Sequence, residues 1–164
     1  MTHAELQQRY LAWTRRAVLA LLVPLALTAL LQAGAASAWW SESPPPAGGM
    51  HYLFMAIGAA SVMMGRNARA RETAAGSLEL PAITSLSWRL VIYILAPAVT
   101  GAVLAFMTRQ VGDYYLMLIV TLVGLVMLYP RFDQWLAWSA AGVSDAPETG
   151  TAAPDAAPDA PEAE

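Results

Sequence analysis

A histidine close to several methionines is the first place where this chain could support chemistry. His51 follows Met50 and precedes Met55 by four residues, and Met107 and Met117 are expected near the same end of the helices. Imidazole and thioether groups are ligands that Cu(I) prefers. Methionine also fills gaps in apolar packing, and a histidine can anchor a helix at a membrane interface. We favour the packing role and predict no metal and no cofactor.

The residue types that catalyse hydrolysis or group transfer are not gathered in one place. Such reactions need a nucleophile with a base within reach, and the two histidines, His3 and His51, belong to opposite ends of the predicted helices. Glu72 and Glu79 lie among arginines, where ion pairing and solvation account for them. The chain has no cysteine, which excludes disulfides and thiolate chemistry. We predict that the protein is not an enzyme, because an enzyme of this sequence would need a partner subunit for the missing groups.

Polar side chains within apolar stretches suggest a second possible function, since such side chains can line a path for a solute across a membrane. Thr28, Gln32 and Thr100 have this character, and Pro24 and Pro97 are predicted to kink their helices because each removes an amide donor. Together they suggest a small oligomeric transporter or channel. A proton or cation pathway usually carries an ionisable residue within the membrane, and the interiors of the apolar stretches contain no Asp, Glu, Lys or Arg. Transport therefore stays the alternative hypothesis.

The elements that hold these residues are apolar stretches close to the length of a membrane crossing. Of the 164 residues, 57% are hydrophobic and 13% are charged. A hydrocarbon core about 30 Å thick needs about 20 helical residues. Four stretches approach this length, at residues 17–38, 50–65, 90–107 and 114–129. The predicted fold is all-α: a polytopic membrane protein with four transmembrane helices in an antiparallel bundle.

The positive charges assign a side to each connection. All nine are arginines. We expect seven of them to set topology or bind anionic lipid: Arg15, Arg16, Arg66, Arg69, Arg71, Arg89 and Arg131. Arg9 lies on the same side, whereas residues 39–49 have no basic residue and the turn 108–113 has only Arg109. By the positive-inside rule, both termini are predicted to be cytoplasmic in a multi-pass protein of a bacterial inner membrane.

Three segments lie outside the predicted membrane domain of residues 17–129. Residues 1–16 form a cytoplasmic amphipathic segment, and residues 130–143 place Phe132, Trp135 and Leu136 on one helical face, a pattern that predicts a helix lying in the headgroup plane. Residues 144–164 consist largely of Ala, Pro, Asp and Glu, which cannot bury a core. This acidic tail is predicted to be disordered.

Small residues predict where helices approach closely. Gly58, Ser61 and Gly65 share a face of the second span, and Gly101 and Ala105 form a small-xxx-small pair on the third. We expect these two spans to pack together at the centre of one chain, with much of the fourth span facing lipid.

The first span leaves one alternative open. The residues Ala36-Ser37-Ala38 fit the small-x-small site of a signal peptidase. However, the apolar stretch of about 22 residues exceeds the 7 to 15 of a typical signal core, so we favour an uncleaved first span.

Three local patterns carry a resemblance to known proteins: Gly65 followed by the arginines of residues 66–71, the pair Trp88-Arg89, and the sequence from Leu128 to Arg131. Over about residues 10–131 the chain resembles small four-helix inner-membrane proteins of bacteria that have no assigned activity. This resemblance implies the fold and no site residue. We expect a non-enzymatic structural or accessory component of a membrane complex, with a membrane protein or a second copy as partner. No nucleic acid is expected as a partner, since the arginines suit anionic headgroups.

Overall fold

The computed structural model describes residues 3–37, 40, 48–74, 76 and 78–140, and these ranges contain helices and no strand. The helices are α1 (His3–Leu21), α2 (Val23–Ala35), α3 (Met50–Ala74), α4 (Leu80–Thr108), α5 (Val111–Leu128) and α6 (Phe132–Ala140). The predicted all-α class is confirmed for these ranges. The acidic tail and most of the loop at residues 39–49 lie outside them, so the prediction of disorder stays a prediction.

Three helical stretches are long and apolar enough to cross a membrane: His3–Ala35, Leu80–Thr108 and Val111–Leu128. They correspond to α1 with α2, to α4 and to α5. The second of the four long helical stretches, α3, is not among them, because its apolar part ends near Gly65 and residues 66–74 carry four charged side chains. The sixteen residues from 50 to 65 rise about 24 Å, less than the hydrocarbon core of about 30 Å.

The first stretch is irregular at Leu22, just before Pro24. Proline has no amide hydrogen and is tolerated in the first turn of a helix, where that donor would have no helical partner. The amide of Leu22 donates to the carbonyl of Leu19 at 3.2 Å, and the amide of Ala26 donates to that of Leu22 at 3.0 Å. The irregularity therefore separates α1 from α2 at the proline, whereas α4 continues through Pro97.

α4 is the helix around which the others pack. In its most apolar window 50% of the residues are buried, against 33% for α5 and 17% for α1 with α2. α5 packs along its second half, and α3 packs along its middle, with Gly58 against Pro97 and Glu72 beside Arg89. α2 packs beside it, and α1 and α6 contact its first half. The side chains of Ile83, Leu90 and Ile94 are fully buried along its length. α4 thus contributes more buried residues to the core than any other described helix.

Glycines allow α3, α4 and α5 to approach closely. A Cβ on Gly101 would lie 2.4 Å from Cβ of Met117, and one on Gly58 would lie 2.8 Å from Sδ of the same methionine. On α3, a Cβ on Gly65 would lie 2.7 Å from Cδ1 of Leu128. Gly101 therefore faces α5 rather than α3, and α5 shares the centre of the bundle, although its opposite face is exposed.

The remaining predicted packing residues are also buried. Ser61 is 8% exposed on α3, and Ala105 is fully buried on α4. Ala105 belongs to a cluster with Leu31 of α2 and Tyr114 of α5. The small side chain at position 105 thus serves contacts with α2 and α5, the two helices on that side of α4.

The aromatic faces of the flanking segments pack against each other. Trp13 of α1 is 4% exposed and Trp135 of α6 is fully buried, with their ring centroids 5.6 Å apart. Leu86 and Leu90 of α4 complete this cluster. The sequence predicts that the aromatic face of residues 130–143 lies in the headgroup plane; in the structure that face contacts protein. The reason is that residues 80–89 extend α4 beyond the predicted span and supply an apolar surface for it.

Candidate functional site

The turn between α4 and α5 places a carboxylate inside the bundle. Arg109 adopts a left-handed conformation, with φ of 55°, which ends α4. α5 begins at Val111, three residues earlier than the predicted span at 114, so Asp113 lies in its first turn. A negative charge is favourable there because the amide groups at a helix N-terminus carry partial positive charge.

Asp113 is the centre of a hydrogen-bonded cluster that joins three helices. It is 8% exposed, and its Oδ2 accepts a hydrogen bond from the hydroxyl of Thr108 at 2.7 Å. Its Oδ1 lies 3.1 Å from Nδ1 of His51. Thr108 is itself 1% exposed and accepts the amide hydrogen of Gln110 at 3.3 Å. The cluster ties the start of α3 to the end of α4 and the start of α5.

A cavity of about 360 Å³ opens beside this cluster. His51 and Asp113 line it together with Met55 and Leu104. Its volume falls within the range of small-molecule sites, which are mostly apolar with a few polar groups. His51, Asp113 and the phenol of Tyr52 are the ionisable groups in the lining of this cavity. We define His51 and Asp113 together with Thr108 as the outer polar cluster.

The outer polar cluster contains parts of a catalytic or metal site but not a whole one. A carboxylate that pairs with Nδ1 orients an imidazole, as in hydrolase triads. Here the hydroxyl of Thr108 contacts the carboxylate and not the imidazole, so the histidine does not activate it. Across the described ranges, no group of three or more His, Asp or Glu side chains could hold a metal ion. The contacts support a role in fixing the helix ends.

The methionines considered as soft ligands occupy different places. Met55 lines the cavity with His51. Met117 is fully buried against Gly58 and Gly101, one helical turn beyond Asp113, and Met107 is 47% exposed. Met117 is therefore used in packing, and its burial explains the requirement for glycine at both facing positions.

Sequence reasoning missed the contact between His51 and Asp113. The sequence predicts an interfacial anchor at His51 and a turn at Asp113, and no Asp, Glu, Lys or Arg lies in the interior of a predicted span. The earlier start of α5 corrects this for Asp113. A signal was available, because the predicted topology already places both residues on the same outer side.

Two of the predicted path-lining residues are held by hydrogen bonds between helices. The hydroxyls of Tyr114 and Thr28 both lie within bonding distance of the Pro24 carbonyl, at 2.5 and 2.8 Å, and 3.1 Å from each other. Gln32 donates from its amide nitrogen to the hydroxyl of Tyr115. These bonds join α2 to α5. They use polar groups that would have to face the interior of a pore if these helices lined one.

The third predicted path-lining residue, Thr100, bonds within its own helix. Its hydroxyl lies 3.0 Å from the carbonyls of Ala96 and Pro97. The carbonyl of Tyr93, which Pro97 leaves without an amide partner, lies 3.5 Å from the hydroxyl of Ser61 on α3. The same hydroxyl has one hydrogen and lies closer, at 2.7 Å, to the carbonyl of Gly58 in its own helix. Its contact with the carbonyl that the proline frees is therefore the longer of the two.

The predicted topology arginines divide into two groups. Arg89 forms an ion pair with Glu72 at 2.5 Å, and Arg69 lies over the ring of Trp138 at 5.7 Å. The others are exposed: Arg15, Arg16, Arg66, Arg71 and Arg131. All seven lie towards the end of the bundle that holds the aromatic cluster of α1, α4 and α6, opposite the outer polar cluster.

No family model, curated protein or solved structure matches the chain. The resemblance to small four-helix inner-membrane proteins therefore has no matched relative behind it. The geometry of the helices and of the outer polar cluster is the basis for a functional assignment.

Proposed function

We propose that the protein is an integral protein of the bacterial inner membrane that acts as a non-enzymatic structural or accessory component of a membrane complex. The observation that carries the proposal is how the polar side chains are used. Thr28, Gln32 and Thr100 are engaged in hydrogen bonds within the chain, while large apolar side chains cover the outside of α2, α3 and α5. A protein built this way presents its apolar surface to lipid or to other helices.

We further propose that α3 is a fourth membrane crossing. Its His51 lies beside Asp113 at the start of α5, and its Gly65 lies beside Leu128 at the end of α5. Residues 51–65 therefore cover the same depth as α5, which is long and apolar enough to cross. Arg66 and Arg69 can extend their side chains towards the headgroups and make up for the short apolar stretch. Four crossings leave both termini on the arginine-rich, cytoplasmic side.

The acidic tail at residues 144–164 is the part of the chain that we assign to a cytosolic partner. It contains half of the twelve acidic residues and follows α6, which ends on the arginine-rich side. Charge complementarity favours a partner with a basic surface. The exposed apolar faces of α3 and α5 are available to a membrane partner, or to a second copy of the chain, within the same complex.

The test is affinity capture from native membranes with two tail variants. One lacks residues 144–164, and the other keeps the length but replaces each Asp by Asn and each Glu by Gln within it. We expect both to lose the same cytosolic protein and to retain the membrane partners. If capture and membrane phenotype are unchanged in both variants, the tail has no part in the function.

A flux assay separates this proposal from the transport alternative. The purified protein in liposomes is expected to leave proton and ion permeability at the level of empty liposomes, because the polar residues of α2 and α4 are hydrogen-bonded internally. Flux that is lost on replacing Gln32 by leucine would instead support an oligomeric transporter or channel lined by α1 with α2 and by α4.

A further inference from the structure

A groove runs between the first helical stretch and α5 on the lipid-facing surface. It consists of two adjoining cavities, of about 360 and about 250 Å³, that share Leu21 and Leu125 in their walls. The first cavity reaches Tyr129 and Arg131, and the second reaches Leu118. Because the cavities share two wall residues, they adjoin along α5, and we name the pair the α1–α5 groove.

The groove is polar at one end and apolar at the other. Arg131 and Tyr129 close the end on the arginine-rich side. The guanidinium of Arg131 is exposed and forms no ion pair with a carboxylate of the described residues. Beyond Leu125 the wall is apolar except for Thr121, whose hydroxyl already donates to the carbonyl of Met117 at 3.0 Å. A ligand that fits has an anionic head and a long apolar chain.

The groove originates in the irregularity of the first helical stretch. Pro24 lines the apolar end, and only 17% of the most apolar window of α1 with α2 is buried. The helices separated at Leu22 therefore leave a gap beside α5 at this level, although α2 is bonded to the start of α5 through Tyr114 and Tyr115. At the depth of the hydrocarbon core, an acyl chain is what can occupy this space, because a water molecule would find no hydrogen-bonding partners on an apolar wall.

We propose that the α1–α5 groove binds one anionic glycerophospholipid, with its phosphate ester on Arg131 and one acyl chain lying along α5 from Leu125 to Leu118. That part of α5 rises about 10 Å, enough for the first half of a common acyl chain. The charge of Arg131 selects the anionic phosphate, and the apolar wall selects the chain. The inference rests on the proposed function in one respect: membrane insertion with Arg131 at the cytoplasmic headgroups.

Native mass spectrometry of the full-length protein tests the site. The protein is equilibrated in nanodiscs of equal parts phosphatidylglycerol and phosphatidylcholine, and retained lipid is counted. We expect one retained phosphatidylglycerol. Arg131→Gln lowers the preference for phosphatidylglycerol about fivefold, the contribution of one basic side chain near an anionic surface. Arg71→Gln is the matched control, because it removes an exposed arginine from the same side without touching the groove.

A second pair of variants tests the chain-binding end. Leu122→Trp places an indole in the wall of the groove and is expected to lower retention of both lipids. Ile119→Trp is the control on the same helix, because Ile119 is 58% exposed, close to the 53% of Leu122, and lines neither cavity. Soluble glycerol phosphate in millimolar excess is expected not to displace the retained lipid, since it has no acyl chain.

The outcomes separate the site from the topology. Equal effects of Arg131→Gln and Arg71→Gln, equal effects of the two tryptophan variants, or displacement by glycerol phosphate would each overturn the site. Retention of a stoichiometric polypeptide and no lipid would overturn it too, and would assign the groove to a partner helix. Extraction of the wild-type protein from membranes by alkaline carbonate would instead refute the membrane insertion on which the site rests.

Discussion

Replacing Gly101 by alanine tests how closely α4 and α5 approach. The added Cβ would lie 2.4 Å from Cβ and 2.8 Å from Cγ of Met117, and 3.5 Å from Cα of Tyr114. The position of the Met117 Cβ is set by the backbone of α5, so a change of rotamer cannot relieve the overlap and the helices must move apart. Overpacking of this kind costs about 1–3 kcal/mol. The better helix propensity of alanine returns about 0.5–1 kcal/mol. The net loss in the free energy of unfolding is then at most about 2.5 kcal/mol, with a central value of about 1 kcal/mol.

Two other glycines provide graded controls for this substitution. A Cβ on Gly112 would meet no atom within 4 Å, so Gly112→Ala is expected to be neutral or slightly stabilising. A Cβ on Gly58 would lie 2.8 Å from the sulfur of Met117, a flexible group that can shift, so Gly58→Ala is expected to fall between the two.

The assay is unfolding of the detergent-solubilised protein by graded SDS, followed by circular dichroism. The predicted order of stability is Gly112→Ala above Gly58→Ala above Gly101→Ala. If Gly101→Ala unfolds with the wild type or with Gly112→Ala, α4 and α5 do not touch as described.

The same assay checks three further substitutions. Asp113→Asn keeps an acceptor for Thr108 but removes the charge that faces His51, and we expect the free energy of unfolding to fall by about 1 kcal/mol. In a double-mutant cycle, this loss is expected to be absent when His51 is already replaced by glutamine. Trp135→Ala removes a fully buried indole from the contact between α6 and α1, with an expected loss of about 3–5 kcal/mol and faster proteolysis at α6. Arg89→Gln breaks an exposed ion pair with Glu72 and is expected to change stability by less than about 1 kcal/mol; a larger loss would mean that this pair is less solvated than its exposure indicates.

Helix positions followed from the apolar stretches, because a chain in lipid must satisfy its amides within each segment. Helix ends were less predictable. α4 begins at Leu80, ten residues before the predicted start at 90, and Thr84, Ser85 and Ser87 interrupt the apolar pattern there. Those ten residues are held by packing of Ile83 and Leu86 against α1 and α6. Such contacts depend on tertiary structure and leave little trace in local sequence.

Which helix packs against a small-residue face was harder to predict than the existence of that face. Gly101 and Ala105 indicate a face that a neighbour approaches, but a small-residue pattern does not say which helix fills it. The structure places Met117 of α5 there. In the same way, His51 and Asp113 are 62 positions apart in the chain, so their pairing follows only from the arrangement of α3 beside the turn that begins α5.

The most direct test of the account is the side of the membrane on which each end lies. Because the chain has no cysteine, single cysteines at Thr2, Ser43 and Ser144 can be labelled with a membrane-impermeant maleimide in intact cells. Four crossings predict labelling of Ser43→Cys alone, with both terminal cysteines reacting only after the inner membrane is permeabilised. Labelling of Ser144→Cys in intact cells would mean that α3 does not cross, and labelling of Thr2→Cys there would contradict the topology read from the arginines.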